Sequence, residues 1–527
     1  MKNASTFSDA RRPTPDADRA NPLRMEPDDF RSLGHALVDE VADLLASMPE
    51  RRVTPRNQTP VDVVAALDAN AALPEQGEDP ARILGEATAI LMDRSLYNGS
   101  PKFFGYITSS PAPIGALADL LAAAVNPNVG SWILSPVATT IEAQTVRWLS
   151  ELIGYRENCG GVLVSGGNMA NFVGFLAARR AMLGEAVRSG GLAASVDGRS
   201  STVEAPVTVY AGTGTHTWID KAADLFGFGT SAIRRIAMDE HQRMRVDALH
   251  EAIEGDVRAG VRPMMVVATA GSVSTGAVDP LRAIADVCRE HGLWLHVDGA
   301  YGGFAAAARD AVARETGTIG AEAADELGAL ALADSVAIDP HKWLYAPLEA
   351  GCILTRDAQV LRDAFSYHPP YYHFGVEATN YVDFGLQNSR GFRALKVWLA
   401  LRQAGRSGYG RLIGDDIALA RRLYDNVARH DELEPATLAL SIATFRYVPK
   451  ELRDSVGQKE TEQRLNAINQ ELLDRLQKRG DAFVSNAVLD GRYLLRACIV
   501  NFNTTARDVD ELPGLIAGLG REVAASR

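Results

Sequence analysis

The sequence has few cysteines and no long run of apolar residues. Its four cysteines (Cys159, Cys288, Cys352 and Cys498) lie far apart without a CxxC pair, so we expect neither a disulfide framework nor a metal site. No apolar stretch approaches the roughly 18 residues that would suggest a membrane span. The polar, proline-containing start lacks the apolar segment of a signal peptide. These absences predict a cytoplasmic protein with reduced thiols.

Positive charge is also in short supply. Lys and Arg number 54 against 66 Asp and Glu, for a net charge of -12, which argues against nucleic acid or an anionic membrane as the main partner. At 527 residues, with 46% apolar and 23% charged residues, the chain has the composition of a globular protein too large for one ordinary core. We therefore expect an enzyme-sized protein with two or three domains.

The N-terminal part reads as separate from the main body. Residues 1–24 have the composition of a disordered lead-in. Residues 25–100 predict a helical segment, with an amphipathic helix from Asp28 or Asp29 and a second helix near Pro80–Leu96. An amphipathic helix must bury its apolar face, and the pattern allows either the chain's own core or a partner subunit. We expect this segment to pack on a partner subunit.

Residues 101–385 alternate between apolar strand-like runs and helical stretches. This alternation predicts an α/β domain with a mostly parallel sheet covered on both faces, whose ligands lie beyond the carboxyl ends of the strands. The predicted strands are Gly161–Val164, Pro206–Tyr210, Met264–Thr269, Leu293–Val297 and Val336–Ile338. Residues 386–527 mix helices with two strands, Ser441–Tyr447 and Tyr493–Asn501, and predict a small α+β domain.

Lys342 is the first candidate for chemistry. It follows a short apolar strand and Pro340, and it precedes the large ring of Trp343. An amine walled by apolar and aromatic groups loses hydration, which favours the neutral form that a Schiff base with an aldehyde requires. The alternative is a solvated loop lysine, the commonest fate of this residue type.

Three further features lie at presumed strand ends. Ser165-Gly-Gly-Asn168 links a strand to a helix, where backbone N–H groups can hold a phosphate, or else forms an ordinary turn. Asp298 ends an apolar strand and needs a cationic or hydrogen-bonded partner, such as a pyridine nitrogen, unless it caps a turn. His216 can stack on an aromatic ring, although lone histidines are often structural. Pyridoxal phosphate needs an anion site, a nitrogen partner, a ring platform and an amine.

The motifs that carry a family resemblance extend from about Pro101 to Asn503. They are Phe103-Phe-Gly-Tyr106, Ser131-Trp-Ile-Leu-Ser-Pro136, Ser165-Gly-Gly-Asn168, His296-Val-Asp-Gly-Ala300, Asp339-Pro-His-Lys-Trp343 and Arg496-Ala-Cys-Ile-Val-Asn501. With them the chain resembles the group II pyridoxal-phosphate-dependent amino acid decarboxylases, the family of aromatic L-amino acid, histidine and glutamate decarboxylases. The resemblance implies the fold type I of pyridoxal phosphate-dependent transferases, with a seven-stranded sheet in the large domain. It also implies a homodimer with active sites at the subunit interface.

The resemblance also implies roles for individual residues. Lys342 would hold the cofactor covalently, Asp298 would face the pyridine nitrogen, and His216 would stack on the ring opposite Ala300. Tyr371, with Tyr372 as its neighbour, matches a loop tyrosine that returns a proton to the substrate. The remaining implied positions are the phosphate contacts Gly167, Asn168, Asp339 and His341 and the substrate contacts Tyr106 and Trp132.

Departures from the family pattern leave the substrate open. Asp339 replaces an asparagine near the phosphate, where a second anion would repel it unless a proton or His341 intervenes. Val273 replaces a threonine that could contact the cofactor, and Asn126-Pro-Asn-Val-Gly-Ser131 is small and polar where aromatic decarboxylases carry larger side chains. We expect a carboxy-lyase that forms an amine and carbon dioxide from an aromatic L-amino acid.

Four alternatives remain beside that expectation. One is decarboxylation of acidic amino acids, for which Arg390 and Arg393 are candidate contacts, although both are more typical of structural or solvated residues at a helix start. The others are aldehyde synthesis, transamination and, least favoured, a non-catalytic scaffold. Tyrosine at 371 and histidine at 216 favour decarboxylation over aldehyde synthesis.

Overall fold

The computed structural model describes residues 21–55, 58–192, 205–368 and 378–526. The chain forms two compact units. We call the part within Met1–Glu50 and Pro55–Leu96 the N-terminal unit, and Arg51–Thr54 together with Tyr97–Arg527 the main unit. In the described ranges, none of the helices is both long enough and apolar enough to cross a membrane.

The N-terminal unit is helical, as predicted. Its helices are α1 (Pro27–Ser47), α2 (Pro60–Ala66) and α3 (Pro80–Arg94). Each begins with proline, whose missing N–H costs nothing in the first turn, and Thr59 and Asp79 cap α2 and α3 with their side chains. No residue of α1 is buried within the chain, and its Phe30 remains 58% exposed. Packing of this unit on a partner subunit stays a prediction.

A seven-stranded sheet forms the centre of the main unit. A two-residue strand, β1 (Phe103–Phe104), precedes it in the chain. The strands of the seven-stranded sheet are β2 (Gly160–Val164), β3 (Val207–Gly212), β4 (Ile233–Ile236), β5 (Arg262–Thr269), β6 (Trp294–Asp298), β7 (Ser335–Ile338) and β8 (Gly351–Thr355). The spatial order is β2-β8-β7-β6-β5-β3-β4, and only β8 runs antiparallel to its neighbours. All five predicted strands are present, whereas β4 and β8 were not predicted.

This part of the chain also contains helices, and several of them pack on the sheet and bury its apolar strands. The helices are α4 (Pro113–Val125), α5 (Pro136–Ile153), α6 (Gly167–Leu183), α7 (Ala186–Gly190), α8 (Trp218–Leu225), α9 (Val246–Arg258), α10 (Leu281–His291), α11 (Arg309–Glu315), α12 (Gly320–Leu327), α13 (Pro340–Trp343) and α14 (Ala358–Phe365). Strands β2, β8, β7, β6 and β5 are almost wholly buried, as expected for a sheet with two covered faces.

The C-terminal part of the main unit builds a second sheet with its own apolar core. Its elements are α15 (Ala394–Ala428), β9 (Leu433–Ala439), β10 (Ile442–Tyr447), α16 (Lys459–Arg479), β11 (Phe483–Leu489), β12 (Arg492–Cys498) and α17 (Ala506–Ala525). Strand β1 joins this sheet, whose order is β1-β11-β12-β10-β9. Helix α15 is broken at Gly405, where φ is 67°.

Arg390 forms a buried ion pair inside the main unit. Its guanidinium contacts both carboxylate oxygens of Glu142 and also donates to the backbone oxygens of Val129 and Leu163. Both side chains are at most 2% exposed. These contacts confirm that Arg390 is a structural residue, because they hold α5 and β2 together.

Candidate active site

A cavity of about 540 Å³ opens at the carboxyl ends of β5, β6 and β7. Parallel strands place the residues that follow them at one edge of the sheet, and the helix α6 begins at the same edge. The predicted residues that line this cavity are Tyr106, Gly167, Asn168, His216, Asp298, Ala300, Asp339, His341 and Lys342. Residues separated by more than two hundred positions in the sequence therefore meet in one site.

Lys342 lies in the short helix α13, which Pro340 begins directly after β7. Its side chain is 22% exposed, and its Nζ is 3.0 Å from Oδ2 of Asp339. The adjacent Trp343 stacks on Tyr301 with ring centroids 4.8 Å apart and donates its indole N–H to Asp416 at 2.9 Å. Because the neighbouring ring is fixed from two sides, the lysine projects into the cavity from a rigid turn.

Asp298 is the last residue of β6 and is 8% exposed. One carboxylate oxygen accepts the indole N–H of Trp218 at 2.8 Å, and the other accepts the backbone N–H of Ala300 at 3.1 Å. These bonds fix the carboxylate at the cavity wall. A carboxylate held in this way can accept a further hydrogen bond from a protonated ring nitrogen.

His296 lies behind Asp298 and is completely buried. Its ring nitrogens are 2.8 Å from the hydroxyl of Ser335 and 2.7 Å from the amide oxygen of Asn171. Burial lowers the pKa of His296 to about 4, against the opposing effect of Asp298. The imidazole is therefore neutral at physiological pH and supports the end of β6 without adding charge.

The Ser165–Asn168 turn leads from β2 into α6, as predicted. Gly166 has a φ of 116°, which favours glycine. A Cβ on Gly167 would lie 2.5 Å from Oδ2 of Asp339 and 3.0 Å from Cβ of Ala300, so a larger residue there would clash with both side chains. The free backbone and the start of α6 together form a site suited to a phosphate.

Asp339 is the unusual residue of the site. It is 1% exposed, and within the described ranges its Oδ1 has no hydrogen-bond partner. Besides Lys342, its closest cation candidate is His341, whose Nε2 is 3.8 Å away. Burial lowers the pKa of His341 despite the opposing effect of Asp339, and its Nδ1 donates to the backbone oxygen of Ala350 at 2.6 Å. Lys342 is therefore the main charge partner of Asp339.

The other predicted residues fall into three groups. His216 is exposed at the cavity wall, where its Nδ1 accepts the backbone N–H of Trp218 at 3.2 Å. Trp132 lines a different groove, next to Pro136, so within the single chain the structure does not bring it to Lys342. Tyr371 and its neighbour 372 lie outside the described residues.

Arg496 was not assigned a role from the sequence, yet it lines the cavity. It is 3% exposed and donates from Nη1 to the hydroxyl of Ser485 at 2.8 Å. Its Nε and Nη2 have no hydrogen-bond partner among the described residues. A buried guanidinium with free donors suits a carboxylate ligand, and the signal for it was an arginine inside the apolar strand β12.

The residues present fit pyridoxal phosphate. The glycine turn at the start of α6 matches an anion site, and Asp298 and Lys342 line the same cavity as an acceptor and an amine. His216 supplies a flat ring at the wall. An α/β sheet with this set of groups at its carboxyl edge defines a pyridoxal phosphate enzyme.

Comparison with known proteins gives the family. Residues 60–447 match the pyridoxal-dependent decarboxylase conserved domain, so the chain belongs to this family. An aromatic-L-amino-acid decarboxylase of Bacillus atrophaeus is 31% identical over 509 residues, covering 96% of this chain and 98% of the relative. A phenylacetaldehyde synthase of Arabidopsis thaliana is 28% identical over 488 residues, covering 90% and 92%.

A solved structure shows the same fold. The TDC of Oryza sativa with PLP and tryptamine superimposes with a TM-score of 0.83 at 28% identity, covering 95% of this chain and 99% of that one. The predictions of fold class, cofactor and carboxy-lyase activity are thus confirmed. The protein is a pyridoxal phosphate-dependent amino acid decarboxylase.

Proposed function

We propose that this enzyme converts an aromatic L-amino acid into its amine and carbon dioxide, with Lys342, Asp298, His216 and Tyr371 as the catalytic residues. The observation that carries the proposal is the single cavity in which an amine, a buried carboxylate and a glycine turn at a helix start come together. Tyr371 enters only through the family resemblance, because it lies outside the described residues.

Each side chain contributes a specific action in this proposal. When bound, pyridoxal phosphate supplies a protonated pyridine ring that takes up the electron pair left by the departing carboxylate. Asp298 holds the proton on that ring nitrogen, and its own bonds to Trp218 and Ala300 keep it in place. Asp339, 3.0 Å from Nζ of Lys342, holds the amine in place through their ion pair.

The cavity wall supports an aromatic side chain in the substrate. Tyr106 is 59% exposed and packs on Phe483 at 5.9 Å between ring centroids, and Val273 and Leu348 are exposed apolar residues of the same wall. An aromatic ring gains from contact with such a surface. The Bacillus relative is an aromatic-L-amino-acid decarboxylase, and the Oryza structure contains tryptamine, so both favour the same substrate class.

A screen of the twenty amino acids and dihydroxyphenylalanine tests this proposal. Purified enzyme with pyridoxal phosphate is expected to release carbon dioxide and the amine at the highest kcat/KM from an aromatic amino acid. If the highest kcat/KM were instead found for a non-aromatic amino acid, the proposed substrate class would be overturned. Aldehyde with hydrogen peroxide, in place of amine, would assign the aldehyde-forming reaction named in the Arabidopsis relative.

Arg496 favours a second candidate, decarboxylation of an acidic amino acid. Its Nε and Nη2, which have no partner among the described residues, could hold either a side-chain carboxylate or an α-carboxylate. The variant Arg496→Met separates the two. If the substrate is acidic, the ratio of kcat/KM for glutamate over phenylalanine should fall by about tenfold or more. If the substrate is aromatic, Arg496→Met should lower kcat/KM for both amino acids, and glutamate should be a poor substrate for the wild type and for the variant.

We further propose a cytoplasmic homodimer with active sites at the subunit interface. The main unit exposes large apolar side chains on α4 and in the segment 133–137, namely Leu117, Leu120, Leu121, Val125, Ile133, Leu134 and Val137, each at least 54% exposed. Exposed apolar side chains of this kind favour association. All four cysteines are free, which suits a reducing compartment. Analytical ultracentrifugation of the wild type and of Leu121→Asp should show a dimer and a dissociated or weakened dimer.

A further inference from the structure

Two histidines and a glutamate come together on the surface of the main unit, away from the cavity. His250 lies on α9, and Glu290 and His291 end α10. One donor atom from each of the three side chains lies within 4.8 Å of the other two. Nε2 of His250 is 3.6 Å from Oε2 of Glu290, and the two imidazole centroids are 5.2 Å apart.

One histidine of this cluster, His291, has a ring nitrogen that forms no hydrogen bond with the described residues. Nε2 of His291 is buried and, among the described residues, has no hydrogen-bond partner. Burying a polar nitrogen without a partner is unfavourable, so native structures rarely leave one without a ligand or water. A metal ion bound to this nitrogen would satisfy it.

Two further features favour a cation at this position. Helix α10 ends at His291, where the helix dipole places partial negative charge. On the other side of His250, Nδ1 is 3.7 Å from a carboxylate oxygen of Glu254. A carboxylate behind a ligand imidazole orients the ring and increases the basicity of its other nitrogen, as it does in established metal sites.

We propose that His250, Glu290 and His291 bind a divalent transition-metal ion of the zinc class. Two imidazoles and one carboxylate are a donor set that zinc uses, with ligand bonds of about 2.0–2.2 Å. The side chains of His250 and Glu290 are 35% and 63% exposed, so they are free to rotate the short distance needed and to leave a fourth position for water. No short sequence motif indicates this metal site, because its ligands come from two helices.

The place of this site in the fold predicts a structural effect. The strand β6 begins three residues after His291 and ends at Asp298, so the metal site and the catalytic cavity lie at opposite ends of that strand. A bound ion would join α9 to α10 on the face of the sheet that they cover. We therefore expect the ion to raise thermal stability and to leave kcat/KM unchanged.

Metal titration of the holoenzyme tests the proposal. The enzyme, freed of metal with a chelator and kept in pyridoxal phosphate, is titrated with Zn²⁺ by calorimetry and with Co²⁺ by visible absorption. The wild type should bind one equivalent per chain with a rise in Tm. His250→Ala and His291→Ala should lose that equivalent, and Glu254→Gln should weaken binding by about 10–100-fold.

His241 supplies the matched control. It is an exposed histidine beside one carboxylate, Glu240, at 3.7 Å, and it lies outside the cluster. His241→Ala should bind the metal as the wild type does, and all variants should keep the wild-type decarboxylase rate, which shows that they fold. Failure of the wild type to bind Zn²⁺ or Co²⁺, or equal binding by His250→Ala and His291→Ala, would overturn the proposal.

Discussion

Replacing Asp416 by asparagine should change how the stability of this protein depends on pH. Asp416 is buried on α15, where its Oδ2 accepts the indole N–H of Trp343 at 2.9 Å and the hydroxyl of Tyr345 at 2.8 Å. Burial raises the pKa of Asp416 from 3.8 to about 7, and these two hydrogen bonds offset only part of that rise. The carboxyl group is thus neutral in the folded protein at pH 5.

The magnitude follows from the shift in pKa. Between pH 4 and pH 7 the folded protein keeps a proton on Asp416 that the unfolded chain has already released. The free energy of unfolding therefore falls as pH rises, by about 1.4 kcal/mol per pH unit and about 4 kcal/mol over the full interval. Asparagine has no proton to lose, and its amide oxygen can accept both donors, so Asp416→Asn removes this contribution.

Urea unfolding at pH 5 and pH 8 measures the effect. From pH 5 to pH 8, the free energy of unfolding of the wild type should fall by about 3 kcal/mol relative to that of Asp416→Asn. The neighbouring Asp415 is exposed, so Asp415→Asn should show no such change and serves as the control. If the difference between Asp416→Asn and the wild type were the same at both pH values, the reasoning from burial would be refuted.

Three other predictions follow from the active site and its support. Lys342→Ala should lower kcat by at least about 10³-fold, or about 4 kcal/mol, and should abolish the absorbance of the covalently bound cofactor. Gly167→Ala should weaken cofactor binding by about tenfold or more in a fluorescence titration, since its Cβ would lie 2.5 Å from Asp339; unchanged affinity would remove this glycine from the phosphate site. His296 should stabilise the fold above pH 6.5 and lose about 3 kcal/mol of that effect as pH falls towards 4, because its folded pKa is about 4. Comparison of the wild type with His296→Asn in urea at pH 5 and pH 7 checks the sign, and a constant difference would contradict it.

The sequence predicted the parts of the fold that carry strong local patterns. The run Met264–Ala268 is apolar at every position, which indicated burial on both faces of a sheet, and the observed strand starts only two residues before the predicted Met264–Thr269. The pattern Ile233-Arg-Arg-Ile236 is too short and too charged to read as a strand without its neighbour β3, beside which it lies at the sheet edge. Strand β8 was missed because only three of its residues, Cys352–Leu354, form an apolar run, which is too short to indicate a strand by itself.

The site was predictable where residue chemistry and position agreed. Asp298 and Lys342 follow apolar strands, and parallel topology brings strand ends to one edge. Arg496 needed tertiary information, because its role rests on two guanidinium nitrogens that find no partner among the described residues. The ion pair of Asp339 with Lys342 was also not readable, because the sequence predicted only a conflict between Asp339 and a phosphate.

The antiparallel strand β8 has a consequence for how substrate preference can change. The segment with Lys342 connects β7 to β8, which are hydrogen-bonded neighbours in register from Ile338 and Cys352, and the backbone N–H of His341 is bonded to Ala350. Both ends of the segment are therefore anchored in the sheet. Tyr106 and Val273 belong to other loops, so mutations there can reshape the mouth of the cavity for new substrates while the reacting amine keeps its position.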